Sequence, residues 1–386
     1  MNKREISEIK KQFSPVNCAI TRICGCYVNH EKEIVTEWKN AFLSLSEEEE
    51  YKYFEMFKKT LSGTLGKNLL QMEFPLEQEK PGGTQEFLLR LRNSKLKDDE
   101  LISEFYEKII ENLIFTENYY IVLMHAVYDI PGKASDGFVM EDSSDNVYEH
   151  ILCSICPVKL SKPGLSYNMA QNIITERIRD WMVEVPMKGF LFPAYTDRNS
   201  NIHELMYYTK KTEDIQIPFI NEVLGCRIPL TAGSQKDNFN MMLEDTLGEH
   251  CDYEIVKNVH DNLNQILEEN KDNPDPVELS QPDVKRLLEH SGVTQEQLVG
   301  FEDQYSAIIG EKNTLMATNI AETKKFQIQT PDVVIKVNPE RADLIETQII
   351  GGRKYLLIAV DDHIEVNGIN AKTISKDLFE NSEEVE

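Results

Sequence analysis

The sequence predicts an α+β fold. It has an N-terminal mixed α/β portion with antiparallel hairpins, a central helical region and a small C-terminal antiparallel β unit. Three observations predict it. Long β-rich runs such as "NYYIVLMHAVYDIP" and "VYEHILCSICPVKL" follow one another with only a polar, Gly-containing link between them. From residue 213 the apolar spacing changes to that of helices, clearest in "DYEIVKNVHDNLNQILEEN". After residue 324 the β texture returns, with Gly351-Gly352 set between two apolar runs as a two-residue hairpin signal.

The elements follow in order. A short charged helix opens the chain, and no apolar stretch follows it as a secretory signal requires. "NCAITRICGCYVN" is a strand that returns as a hairpin through "EIVTEWKNAFL". Ser46 with Glu49 forms a capping box, Phe54, Phe57, Lys58 and Leu61 mark the helix face, and Gly63 ends it. "KNLLQMEFPL" is a strand, and "GTQEFLLRLRNS" and "DDELISEFYEKIIENLI" are helices. In the second, Leu101, Phe105, Ile109, Ile110 and Leu113 recur at helical spacing. The two β-rich runs pair as an antiparallel hairpin with a long loop, and "KGFLFPAYTD" with "NIHELMYYTK" makes another.

The helical region begins with "IPFINEVLG", ended by Gly225. It continues through "SQKDNFNMMLEDTLGEH", a long helix with a stripe of Tyr253, Val256, Val259, Leu263, Ile266 and Leu267, and the linker "NPDPVE". "SQPDVKRLLEHSG" and "TQEQLVGFEDQYSAIIG" close it, the latter opened by a Thr294/Gln297 capping box. Asp361-Asp362-His363 reads as a turn within a three- or four-strand unit that packs back on the body. The expected boundaries are 1–212 for the mixed α/β domain, 213–310 for the helical region, 311–376 for the β unit and 377–386 for an acidic tail.

Composition excludes more functions than it suggests. The 386 residues are 41% hydrophobic and 28% charged, which is globular and long enough for two or three domains of about 150 residues. No apolar run approaches the roughly 20 residues of a membrane span. Seven scattered cysteines imply a reduced, cytoplasmic protein and no disulfide framework. A net charge of −25 is a solvated acidic surface that repels duplex DNA and anionic lipid except at a local basic patch. The nucleic-acid-binding candidates are therefore Arg90, Arg92, Lys95 and Lys97; Lys210-Lys211 and Lys324-Lys325 are isolated pairs.

Chemistry-bearing patterns are sparse. Asp197, Arg198, Asn201 and His203 put an acid, a cation and an imidazole within seven residues, a pattern open to acid–base work or to a hairpin turn. Cys153-Ser-Ile-Cys156 is a CxxC inside a predicted strand, where the two side chains face opposite sides and form no metal pair; Cys18, Cys24 and Cys26 read as small buried hydrophobes. The eight histidines form no HExxH or HxH, so no metal site and no cofactor is expected. "GTLGKN", residues 63–68, is too short for a P-loop and has Asn68 where the hydroxyl belongs.

Two resemblances add to this. "EISEIKKQF…ITRICGCYV", "GFLFPAYTDRNSNIHELMYYTKK", "TPDVVIKVNPE" and "IEVNGIN" resemble, over the whole chain, a family from anaerobic Gram-positive bacteria with no assigned function, so no active site is carried over. From about residue 83 the order of elements is similar to the bacterial nucleoid-associated protein family. Phe219 and Val223-Leu224-Gly225-Cys226 stand for its Phe-Leu-Gly segment, with Val before Leu224. Ile364-Glu-Val366-Asn-Gly368-Ile369 stands for its terminal Leu-x-Ile-x-Gly-apolar-Pro, with Asn370 in place of the Pro. The resemblance implies an acidic, non-enzymatic protein found with the nucleoid. The leading expectation is a cytoplasmic binding protein of that type, acting on DNA through a local patch or through a protein partner. The alternatives are an enzyme whose site is assembled from distant loops including the 197–203 turn, and an interaction scaffold or homodimer with no nucleic-acid role.

Overall fold

The computed structural model describes residues 1–133, 139–311, 313–323, 325–360 and 364–371. The expected Asp361-Asp362-His363 turn, Lys324, the acidic tail and part of the link after residue 133 lie outside the described residues. Contacts group the chain into two compact units. The first comprises Met1–Asn240, Asp272–Glu278 and Thr314–Ile320. The second comprises Met241–Lys271, Leu279–Asn313 and the residues from Ala321 on. The sequence boundaries at 212/213 and 310/311 mark changes of periodicity, which is a different kind of division.

The first unit is built on one antiparallel sheet. Its strands are β1 (Ile20–Val28), β2 (Ile34–Ala41), β3 (Leu69–Glu73), β4 (Tyr119–Lys133), β5 (Val139–Leu160), β6 (Leu165–Asn168), β7 (Ile173–Glu176), β8 (Trp181–Val183), β9 (Lys188–Phe192), β10 (Ala194–Thr196), β11 (Asn199–Asn201) and β12 (Glu204–Thr209). The main sheet runs β2-β1-β4-β5-β9-β12-β3, with β8 pairing β5 off this path. β6–β7 and β10–β11 are separate two-stranded hairpins. The β1–β2, β4–β5 and β9–β12 pairings are those expected from sequence, with β10–β11 inserted into the last.

Side chains alternate across a strand, so the sheet sends odd and even residues of β4 into two different cores. On one face Tyr119, Ile121 and Leu123 meet α3 (Thr84–Asn93) and α4 (Asp99–Asn112) through Phe87, Leu91, Phe105 and Ile109. On the other, Tyr120, Val122 and Met124 join Ile6 and Ile9 of α1 (Lys3–Lys11) and Phe54 and Phe57 of α2 (Glu47–Thr60). A sheet covered on both faces explains why its central strands read as unbroken apolar runs. The helix starts follow local rules: Asn2 with Glu5, and Ser46 with Glu49, make reciprocal capping boxes.

Two glycines permit close approaches. A Cβ at Gly25 of β1 would lie 2.2 Å from Tyr120 Oη and 2.3 Å from Trp38 Nε1. These are the atoms of a hydrogen-bonded aromatic group in which Trp38 Nε1 donates to Tyr120 Oη (2.8 Å) and Tyr53 Oη lies 3.1 Å from it. Gly225 (φ 65°) ends the expected helix "IPFINEVLG", which is a π-helical turn over Phe219–Leu224 closed by Gly225 N donating to Ile220 O at 2.7 Å. A Cβ at Gly225 would sit 1.7 Å from Thr84 Oγ1 at the start of α3.

The helix α5 (Ala232–Leu247) has residues in both units. In the second unit α6 (Tyr253–Glu269) buries Val259 and Leu263, and α7 (Gln281–His290) buries Val284, Leu287 and Leu288. The helix α8 (Phe301–Ile308) starts later than its sequence suggests. Thr294 and Gln297 do bond, but as an isolated turn, and Gly300 in the left-handed region (φ 83°) separates it from the helix. The expected three- or four-strand terminal unit is corrected: Phe326–Gln329 with Val334–Val337, Ile345–Ile350 with Arg353–Ile358, and Ile364–Val366 with Ile369–Ala371 are separate hairpins. Among the described residues no strand pairing joins one of these hairpins to another. Among the described residues no helix is long and apolar enough to cross a membrane.

The crowding at Gly25 gives a direct test. Gly25→Ala is expected to destabilise the protein by about 1–3 kcal/mol, because the new methyl must displace Tyr120 or Trp38. Gly164→Ala, whose Cβ would meet nothing within 4 Å, serves as the neutral control in urea unfolding.

Candidate functional site

The four residues nominated by sequence do not meet in one place. Asp197 (φ 53°) and Arg198 (φ 55°) form the turn of the β10–β11 hairpin. Asp197 N donates to Glu5 Oε1 at 2.6 Å. Glu8 Oε1 accepts from Tyr128 (2.9 Å), Tyr195 (3.1 Å) and the Arg198 guanidinium (3.2 Å). Arg198 also donates to the Pro131 carbonyl at 3.1 Å. This turn therefore fastens α1 to the strands. Asn201 bonds Glu204 (2.9 Å) and accepts from the His203 amide (3.1 Å), while the exposed His203 ring lies 2.7 Å from Glu79.

The basic residues Arg90, Arg92, Lys95 and Lys97 lie on the last turn of α3 and the loop after it. Arg90 pairs with Glu86 at 3.0 Å and lies over the Phe87 ring. Both Arg92 nitrogens that bond do so to Asn93 Oδ1, at 3.0 and 2.7 Å. Lys95 and Lys97 are exposed.

A third polar group, absent from any sequence motif, is assembled across the sheet. At the start of β1, Ile20 pairs with Ala126 and Arg22 with His125, so Thr21 is an extra residue in a β-bulge. Its hydroxyl lies 2.6 Å from His125 Nδ1 and 3.2 Å from the His125 carbonyl. On the far side of the ring, Nε2 is 2.8 Å from Glu149 Oε1. The His125 ring is wholly buried, Glu149 is partly exposed and Thr21 is exposed. Burial lowers the His125 pKa, against the opposing pull of Glu149, and the positive charges of Lys95 and Arg92 lower it further. Burial favours the neutral ring, and the carboxylate at Nε2 favours the tautomer whose proton sits on that nitrogen and donates to Glu149, which leaves Nδ1 as the acceptor facing a hydroxyl that can also donate to the His125 carbonyl.

The buried titratable groups elsewhere are of another character. Burial pushes the Cys24 and Cys26 thiols up to about 12 and raises Cys153 and Cys156 as well, which makes them unreactive packing groups. Lys188, 2% exposed, donates to Thr209 Oγ1 (2.8 Å) and pairs with Asp214 (3.3 Å), so its charge is fully met. His150 is buried against Tyr148, ring centroids 4.4 Å apart, and burial pushes its pKa down to about 3. Its Nε2 has no hydrogen-bond partner. Among the described residues no group of three or more His, Cys, Asp or Glu could hold a metal ion.

One surface segment stands apart. Between β5 and β9, the β6–β7 hairpin and β8 expose Leu165 (77%), Met169 (83%), Ile174 (64%), Ile178 (81%), Trp181 (55%) and Val185 (46%). Exposure of single apolar residues is ordinary, but a run of them along one 21-residue stretch marks a contact surface.

The missed residues differ in how visible they were. His125 is a lone imidazole inside an apolar strand. Glu149 is its diagonal neighbour once the β4–β5 register pairs Val127 with Glu149 and His125 with Ile151. Thr21 carried no signal, because a bulge is invisible in strand patterning.

With that geometry set out, the chain belongs to the family defined by the domain of unknown function DUF4317, whose model matches residues 1–369. No curated protein and no solved structure matches the chain.

The His150 environment predicts an acid sensitivity. A folded pKa of about 3 against 6.5 unfolded means the unfolded chain binds the extra proton first. Stability carried by neutral His150 is complete above pH 6.5 and falls as pH drops toward 3, at about 1.4 kcal/mol per pH unit. His150→Phe, which preserves the stacking on Tyr148, is expected to flatten this slope in urea titrations run from neutral pH to the onset of acid unfolding.

Proposed function

We propose that this is a binding protein that works as a self-associating scaffold, joined through the segment 161–187. The observation that carries this reading is the exposed apolar run over β6, β7 and β8. Two further features support a second copy as the occupant. The segment balances Lys162, Arg177 and Arg179 against Glu176, Asp180 and Glu184 in a chain of net charge −25. Elsewhere, two copies would repel; here they would not. Among the described strands β8 pairs only with β5, which leaves its other edge open for antiparallel pairing with the same edge of a twofold-related copy.

Association with the nucleoid remains part of this proposal only through such an assembly. The remote similarity of Phe219–Cys226 and Ile364–Ile369 to the nucleoid-associated family supports it, and the local charge weighs against direct phosphate contact. Arg90 is already answered by Glu86, and Asp98, Asp99 and Glu100 follow the exposed lysines. Paired copies would bring two Lys95–Lys97 segments into one particle, which would enlarge the basic contact this acidic chain can offer.

Sedimentation across a broad dilution series is expected to show a dimer of the 44.5 kDa chain at high concentration. Ile178→Glu with Trp181→Glu is expected to keep the protein monomeric with an unchanged circular dichroism spectrum. A wild-type protein that stays monomeric throughout, or a double variant that still dimerises, would overturn the reading. DNA retention at low salt, lost in the double variant, would extend the assembly to the nucleoid.

A further inference from the structure

We propose that Thr21 is an activated nucleophile, with His125 as its general base and Glu149 as the positioning residue that orients the imidazole. The target is an electrophilic acyl or phosphoryl centre with a good leaving group. Several independent features of the structure agree on this assignment.

The bulge is the first. In a regular antiparallel register every residue of β1 at this end would face a partner on β4. The extra residue at Thr21 breaks that register and turns its hydroxyl onto the His125 ring at 2.6 Å. Bulges re-aim side chains in this way next to active sites. The second is the order of the groups. Hydroxyl, imidazole and carboxyl lie in series, at 2.6 and 2.8 Å, from three different segments of the chain. That is the arrangement of an activated nucleophile, recognised by geometry and not by sequence position.

Accessibility is the third. The base is wholly buried while Thr21 is an exposed residue, so a reagent can approach the nucleophile from solvent although the base is shielded from water. The remaining feature is the charge around the ring. Glu149 of β5 faces Nε2, Arg92 of α3 and Lys95 of the following loop act on the ring from the helical side, and the neutral His150 lies within range.

The chemistry balances. An oxygen lone pair of Thr21 forms a bond to the acyl carbon or the phosphorus, and the hydroxyl proton passes to His125 Nδ1. The bond to the leaving group breaks with its electron pair, and the imidazolium returns the proton to a leaving group that needs one. Water attacking the resulting ester, deprotonated by the same nitrogen, regenerates the hydroxyl.

A fluorophosphonate probe tests this on the intact chain. Attack forms the P–O bond, expels fluoride and leaves a stable adduct. Tandem mass spectrometry is expected to place that adduct on Thr21. The labelling rate is expected to rise with pH as the ring loses its proton, with a midpoint below 6.5. Thr21→Ser retains labelling, and Thr21→Val, an exposed isosteric change that leaves the fold intact, abolishes it. Glu149→Gln removes the charge that raises the ring's proton affinity, so it moves the midpoint lower and slows labelling. His125→Gln slows it by roughly 100-fold or more. A folded wild-type protein that takes no label at Thr21 would refute the assignment. So would Thr21 labelling whose rate is indifferent to pH and to Glu149→Gln.

Discussion

The antiparallel pairing of β4 with β5 is the constraint on which the rest of the first unit depends. Among the described residues it is the longest pairing, running from Tyr119 opposite Pro157 to Lys133 opposite Val139. β1 and β2 build outward from β4, and β9, β12 and β3 build outward from β5. Because strand periodicity is two, this register decides which side chains face α3 and α4 and which face α1 and α2. A slip of one residue would exchange the two cores and turn His125 from Glu149 toward the opposite layer.

The same constraint explains the unusual distribution of polar groups. A sheet covered on both faces has no wet side for polar residues, so each one that enters must be paired or stay neutral. Lys188 is paired, with Thr209 and Asp214. His150 stays neutral, held by burial and by stacking on Tyr148. His125 does both, lying between a hydroxyl and a carboxyl. The buried thiols stay protonated for the same reason. Tyrosines place their ring in the core and their hydroxyl at its margin, as Tyr128 and Tyr195 do on Glu8.

What could be read from the chain follows from the range of the forces involved. Capping boxes at Ser46/Glu49 and the hairpins around residues 29–33 and 351–352 are set by neighbours in sequence, and sequence reading found them. The polarity of Asp197 and Arg198 was visible, and so was the turn they occupy; that the turn binds Glu5 and Glu8 some 190 residues away was not. The π turn at Phe219–Leu224 resembles an ordinary short helix in composition, and the close approach of Gly225 to Thr84 beside it is a long-range contact that composition does not show. The delayed start of α8 turns on the backbone conformation of Gly300, which composition alone does not fix. The Thr21–His125–Glu149 group needed two long-range facts at once, the β4–β5 register and the bulge in β1.

Where most of a fold follows the ordinary rules of pairing and burial, the departures from those rules carry the information. Here there are two kinds. The 161–187 segment leaves a run of apolar side chains exposed, which a covering surface would shield from water. The start of β1 gives up a regular pairing to hold a hydroxyl against a buried imidazole. The bulge interrupts the β1–β4 ladder between Ile20 and Arg22, and the Thr21 hydroxyl there is the group that meets His125 Nδ1. Both departures lie in the first unit, one at the start of β1 beside β4 and the other directly after β5, whose end pairs with β8.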